Sequence, residues 1–289
     1  MIGLGSQYLT AAGFGRYRIT AASLGNLDLL RAGWLTYATV QAILGAFWDD
    51  GWAVINATNA YLNGIAASDR DKATALAGFI NEDPMMVCSL GLEPQGVTMP
   101  IRWLEKIGTG NTMTFVGYRQ NNNTHYVIDL LMTSWRSWVN VFGSGSGGSS
   151  NCWCLECLSG EKSNWDLYVI NRVVGGIAIS ANVEHVIDAI PRKLIIDETT
   201  INTNTNTITQ AVSNNTTLIP GNIDGKWRSI KVGDVGSEHE FVPFLLKDGQ
   251  NETAELLDLT ESMSTGEKVF ASRTGSFTIP DISYTPSTP

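Results

Sequence analysis

Charge is scarce in this sequence. Asp, Glu, Lys and Arg fill 16 % of its 289 positions, against roughly 25 % in an average soluble protein. What charge there is sums to −9. That sign repels a phosphate backbone and an anionic lipid surface, so no nucleic-acid partner is expected. Phosphate cradles are missing as well: there is no G-x-x-x-x-G-K-[ST] and no G-x-G-x-x-G between a strand and a helix. Histidine occurs only three times, at His125, His185 and His239, too far apart to read as a local site. There is no G-x-S-x-G nucleophile elbow, and the octapeptide Gly143 to Ser150, GSGSGGSS, is all Gly and Ser and reads as a loop. No acid pair can be assigned to sugar hydrolysis.

Long apolar runs are lacking too. Ala32 to Trp48 is uncharged, but it is shorter than the roughly 20 apolar residues a bilayer requires and carries Thr36, Thr39 and Gln41. A buried helix is expected there, and no membrane span. The first residues, MIGLGSQYLTAAGFGRYR, show no basic start followed by an apolar run, which sets the expectation of no secretory leader. Sequons such as those at Asn56, Asn215 and Asn251 are accordingly read as chance matches in an Asn/Thr-rich chain.

Cysteine is sparse: Cys88, Cys152, Cys154 and Cys157 are the full set. Cys154 and Cys157 stand in CxxC spacing beside Cys152, the weak candidates for a soft metal ion. A closed zinc site requires four ligands, and no second CxxC or HxxxH supplies the rest. Reduced thiols and no cofactor are the expectation.

Uncharged polar residues and rings take the place of charge. The chain holds 29 Gly, nine Trp and nine Phe, and 43 % of it is hydrophobic, enough to anchor real cores and to argue against disorder. Its layout is segmental. Residues 1–22 read as an extended arm with Tyr8, Phe14 and Tyr17. Residues 23–84 read as a helical module. Leu27, Leu30, Trp34, Tyr37, Ile43 and Phe47 recur at helical spacing, with a break at Asp49-Asp50-Gly51. A second helix follows from Trp52 to about Ile65, then a third capped by Ser68, with Pro84 closing the region.

Residues 85–197 alternate apolar and polar residues in short runs and read as an antiparallel, sandwich-like β domain. The strand candidates are Met113–Tyr118, Tyr126–Met132, Trp165–Ile170, Ile177–Ile179 and Lys193–Ile196. Residues 223–289 read as a small C-terminal β domain with strands at Lys226–Val232, Glu240–Leu246, Ala254–Leu259, Lys268–Ser272 and Ser276–Ile279, punctuated by Gly. The fold class expected is therefore α+β and multi-domain.

Between the two β regions, residues 198–222 pose the central problem. In TTINTNTNTITQAVSNNTT, Thr203, Thr205, Thr207 and Thr209 fall on one face of a strand, and Asn202, Asn204, Asn206 and Ile208 on the other. Such a strand has no apolar face to offset its ordering entropy. Either it is a flexible linker or it pairs with sister copies whose Thr and Asn side chains hydrogen-bond across chains.

This composition and segment order resemble bacteriophage virion structural proteins of the tail-fibre, baseplate, head-fibre or collar type. The arm with scattered rings, the helical module, the Asn/Thr segment and the compact strand Ile223–Val232 carry the resemblance. It implies a non-enzymatic assembly protein located in the virion. Its partners would be copies of itself, in a homo-oligomer for which a trimer is one form, and other virion proteins. Docking would fall to Tyr8, Phe14, Tyr17, Trp34, Phe47 and Trp48. The competing reading is a carbohydrate-binding module or glycoside hydrolase. Its sugar-facing residues would be Trp135, Trp138, Trp153 and Trp165, because indoles stack on pyranose rings; for the virion protein a host-surface glycan is a further candidate partner.

Overall fold

In the computed structural model the described residues are 35–47, 50–92, 94, 97, 99–106, 108–119, 124–135, 193–196, 214–221 and 223–282. The fold is α+β, with helices in the N-terminal region and antiparallel sheets after it. Two compact units divide the chain, residues 1–100 with 282–289 and residues 101–281.

The first unit is built from three helices, α1 (Tyr37–Ala46), α2 (Gly51–Asn63) and α3 (Arg70–Glu82). A helix starts where a side chain satisfies its first free amides. For α1 that residue is Thr36, whose hydroxyl accepts from the Thr39 amide at 3.2 Å. Asn81 on α3 tightens the same end: its Oδ1 accepts from the Thr36 amide and from the Thr39 hydroxyl. The continuous helix expected from Leu27 through Phe47 is therefore interrupted, with Leu35 in a bend and Thr36 extended.

The break before α2 falls where Asp50-Gly51 placed it, and Gly51 packs hard against α1. A Cβ there would sit 2.2 Å from Leu44 Cδ2 and 3.1 Å from Leu44 Cα. Gly64 ends α2 as expected. The cap of α3 differs: Ser68 lies in the 3-10 turn Ala67–Asp69, and Asp69 takes the cap position. The reason is the Asp69 amide, which donates to Ala66 O at 2.7 Å and winds the chain one turn early. Val40, Ile43 and Leu44 from α1 with Phe47 at its end, Val54, Ile55 and Leu62 from α2, and Leu76 and Ile80 from α3 are buried together with Met86 and Val87 of the 3-10 turn Pro84–Cys88. Each such side chain contributes about 1.5–3 kcal/mol by leaving water. No described helix is long and apolar enough to cross a membrane.

The second unit contains β1 (Leu104–Lys106), β2 (Thr112–Phe115), β3 (Thr124–Trp135), β4 (Lys193–Ile196), β5 (Thr216–Ile219), β6 (Ile223–Asp234), β7 (His239–Asp248), β8 (Asn251–Asp258), helix α4 (Leu259–Thr265) and β9 (Ser272–Thr274). A six-stranded sheet runs β4-β3-β6-β7-β8, with β1 also on β6, and a three-stranded sheet runs β5-β2-β9. The long partner of β6 is β3, so the strands after residue 223 do not form a sheet of their own among the described residues.

The sequence pattern marks an irregularity in β6. Trp227, Ile230 and Val232 are all fully buried, although strict alternation would turn Trp227 and Ile230 to opposite faces. A bulge resolves this: Asp129 pairs with Ser229 and Leu130 with Trp227, which leaves Arg228 as the extra residue. Pro243 lies inside β7, opposite Leu256. It is tolerated because β6 pairs with β7 only through Phe241, Glu240 and His239, so β7 has no β6 ladder at that point. Phe241 to Phe244 and Ala254 to Asp258 are continuously buried. Covered strands of this kind lose the two-residue alternation. After α4 the chain returns along the outer edge of β8, where the Ala271 amide donates to Leu256 O at 3.0 Å and Asp258's amide to Val269 O at 2.8 Å. That contact protects the edge from pairing elsewhere.

Candidate functional site

The site is assembled where β2, the start of β3, the β6–β7 turn and the start of α4 meet. The tight turn Asp234–Ser237 closes with the Ser237 amide on Asp234 O at 2.8 Å. Gly233 makes it possible, because a Cβ there would lie 2.6 Å from Glu238 Cα and 2.8 Å from Ser237 O. The turn delivers Glu238 beside His125 of β3, with His125 Nδ1 and Glu238 Oε1 2.9 Å apart. Burial pushes the Glu238 carboxyl up. The hydrogen bond to His125, those from the Glu238 and Gly236 amides, and the charge of Lys231 outweigh it, so the carboxyl rests below its usual range.

One residue further on, His239 opens β7. Its Nδ1 lies 2.7 Å from Asp258 Oδ2. Asp258 Oδ1 accepts the amide of Glu261 at 3.0 Å and caps α4. The Asp258 bond raises the His239 imidazole above its ordinary value. Burial opposes this, and the charges of Asp258 and Glu261 add to it. Phe115 packs on the His239 ring with centroids 4.9 Å apart, stacks on Tyr118 at 5.2 Å and meets Phe241 edge-on at 5.0 Å. The Tyr118 hydroxyl is hydrogen-bonded to Thr124 Oγ1 and Asp234 Oδ1.

A second ionic centre lies near the other end of β6. Lys106 is fully buried, with Nζ 3.2 Å from Gly221 O and 3.5 Å from Asp224 Oδ1. In a third pair, burial raises the Glu255 carboxyl while Arg273, 2.9 Å away, opposes the shift. Chemically, these groups act as brackets. Each carboxylate joins two segments that are distant in sequence, and a buried charge persists only with such a partner. Among the described residues, no three His, Cys, Asp or Glu side chains converge on a common point that would hold a metal.

The residues singled out from sequence fare unevenly. Phe47 is fully buried in the core of its own unit, so it offers no free docking face. The Trp135 backbone ends β3 opposite Ile223. Tyr8, Phe14, Tyr17, Trp34, Trp48, Trp138, Trp153, Trp165, Cys152, Cys154, Cys157, Thr203, Thr205, Thr207 and Thr209 lie outside the described residues. Cys88 is buried. At the end of the Asn/Thr stretch, Thr216 and Thr217 pair with Phe115 and Thr114 of their own chain. Thr216 is fully buried there, and its hydroxyl donates to Tyr118 O. For these residues the need for a sister copy does not hold, because Leu218 and Ile219 just beyond them supply the apolar burial.

None of the bracketing pairs is evident from sequence. His125 and Glu238 are 113 residues apart, and Lys106 and Asp224 have no local signature. Only Asp258 and Glu261, at capping-box spacing, mark a feature readable along the chain. No family model, curated protein or solved structure matches this chain.

Proposed function

We propose that this chain is a non-enzymatic structural protein of a bacteriophage particle, assembled with copies of itself and with other virion proteins. In this reading the molecule is multi-domain. The two sheets of the second unit form the layers of a sandwich, a view supported by the contact of Phe115 on the small sheet with Phe241 on the large one.

The observation that carries the reading is the position of β5. Among the described residues it is an edge strand of the β5-β2-β9 sheet, and the Asn/Thr run leads directly into it in sequence. Asn215 Oδ1, accepting from the Gly117 amide at 3.0 Å, fixes the point of entry. Continued as a strand, that polar run would have backbone groups to offer a sister strand. The ionic and aromatic groups of the same unit brace the strand ends, as befits a rigid support.

The test is a double substitution, Thr205→Pro with Thr209→Pro. Proline removes a ladder donor at each position. The expected result is loss of assembly by size-exclusion chromatography with the second unit still folded by circular dichroism. An unchanged assembly overturns the intersubunit role of this segment.

A further inference from the structure

The end of β1 and the start of β6 hold an amine and a carboxyl side by side. Arg102, Leu104 and Lys106 alternate along the chain, and all three are buried, at 2 %, 0 % and 0 % exposure. Lys106 therefore shares the inward face with Leu104, whose register partner is the fully buried Trp227. Lys106 itself is in register with Gly225, the residue next to Asp224. Its Nζ lies 3.2 Å from Gly221 O and 3.5 Å from Asp224 Oδ1, and that same oxygen accepts the Gly108 amide at 2.9 Å.

We propose that Lys106 and Asp224 form an intramolecular isopeptide cross-link that ties β1 to β6. The ammonium first passes one proton to the Asp224 carboxylate, giving a neutral amine and a neutral acid. Burial favours that neutral amine: desolvation lowers the Lys106 value, and the charge and hydrogen bond of Asp224 only partly oppose it. The Nζ lone pair then attacks Asp224 Cγ. As the Nζ–Cγ bond forms, negative charge gathers on Oδ1, where the Gly108 amide already donates. The Cγ–Oδ2 bond breaks, and Oδ2 leaves as water with the acid proton and one proton from the attacking nitrogen. The remaining N–H keeps the Gly221 carbonyl as acceptor. No oxidant or further reactant is consumed. The Asp224 side chain is 27 % exposed, so the water has a way out. Holding both groups in one place removes the entropy of bringing them together, the largest obstacle to such a condensation.

The test is the mass of the intact, denatured wild-type chain after incubation at neutral pH, followed by proteolytic mapping. The expected mass lies one water below that of the sequence, with a branched peptide joining the segments of Lys106 and Asp224. The Lys106 amine is expected to resist acylation in the unfolded chain, and D224A is expected to show the full sequence mass. A wild-type chain at full mass, with Lys106 acylated in a linear peptide, overturns the proposal. So does a water loss confined to a linear peptide at Asp224-Gly225 and opened by hydroxylamine, because that marks a succinimide. Mapping the wild-type chain decides the question even if D224A fails to fold.

Discussion

His239 Nδ1 lies 2.7 Å from Asp258 Oδ2, and the other oxygen of that carboxylate caps helix α4 through the Glu261 amide. One carboxylate thus ties the first residue of β7 to the start of α4. The contact makes stability depend on pH with a definite sign. The folded-state value of His239 is raised above 6.5, so the folded protein holds this proton more tightly than the unfolded chain does. Its stabilisation is full below about pH 6.5 and is lost as the pH climbs through the raised folded value. Urea midpoints of wild type and H239Q, measured from pH 5.5 to 8.5, should converge as pH rises. A gap that stays constant across the range contradicts the assignment.

Asp258 should tolerate an amide better than a methyl. D258N keeps a side-chain oxygen for the Glu261 amide, whereas D258A loses the cap, worth about 0.5–2 kcal/mol, and leaves His239 without its partner. The expected order of denaturant midpoints is wild type, then D258N, then D258A. The His239 titration followed by NMR should move toward its ordinary value in both variants. Equal stability of D258N and D258A contradicts the capping role.

Two glycines should respond in opposite directions. A Cβ at Gly233 collides with the Glu238 and Ser237 backbone, so G233A should cost about 1–3 kcal/mol, as overpacked sites do. Gly45 is exposed inside α1, and a Cβ added there would meet nothing within 4 Å. At that position G45A should stabilise the helix by about 0.5–1 kcal/mol. Thermal unfolding of both variants, read in the far ultraviolet, checks the pair.

Trp227 is fully buried, and its indole Nε1 has no hydrogen-bond partner among the described residues. W227A should cost about 3–5 kcal/mol through the cavity it leaves. W227F should cost clearly less, because it removes a buried donor that gains nothing from the fold. Equal losses for the two variants contradict this account of the site.

Much of this architecture is legible along the chain wherever the determinant is local. The break at Asp50-Gly51, the end of α2 at Gly64, and the strands around Tyr126–Met132, Lys193–Ile196 and Glu240–Leu246 follow from periodicity and punctuation. Two further features lie within reach of the same reasoning. The trio Trp227, Ile230 and Val232 breaks alternation and so marks the bulge. Asp258 and Glu261, with Gly266 behind them, bracket a short helix where a strand through Leu259 was expected. The pairing of β3 with β6 depends on contacts across about a hundred residues of sequence, and so do His125 with Glu238 and Lys106 with Asp224. No local pattern encodes such contacts, because the partners are selected by packing and not by spacing. The Asn/Thr stretch shows the boundary between the two cases. Its final residues are held by Leu218 and Ile219, while the alternating part before them has only the scattered Ile201, Ile208 and Val212 near it in sequence.

The central claim is that copies of this chain assemble. Native mass spectrometry of the purified protein at micromolar concentration tests it most directly. The account predicts a discrete closed oligomer whose mass is an integral multiple of the 31.3 kDa chain, with a trimer among the allowed forms. A single species at the mass of one chain, unchanged as concentration rises, contradicts it.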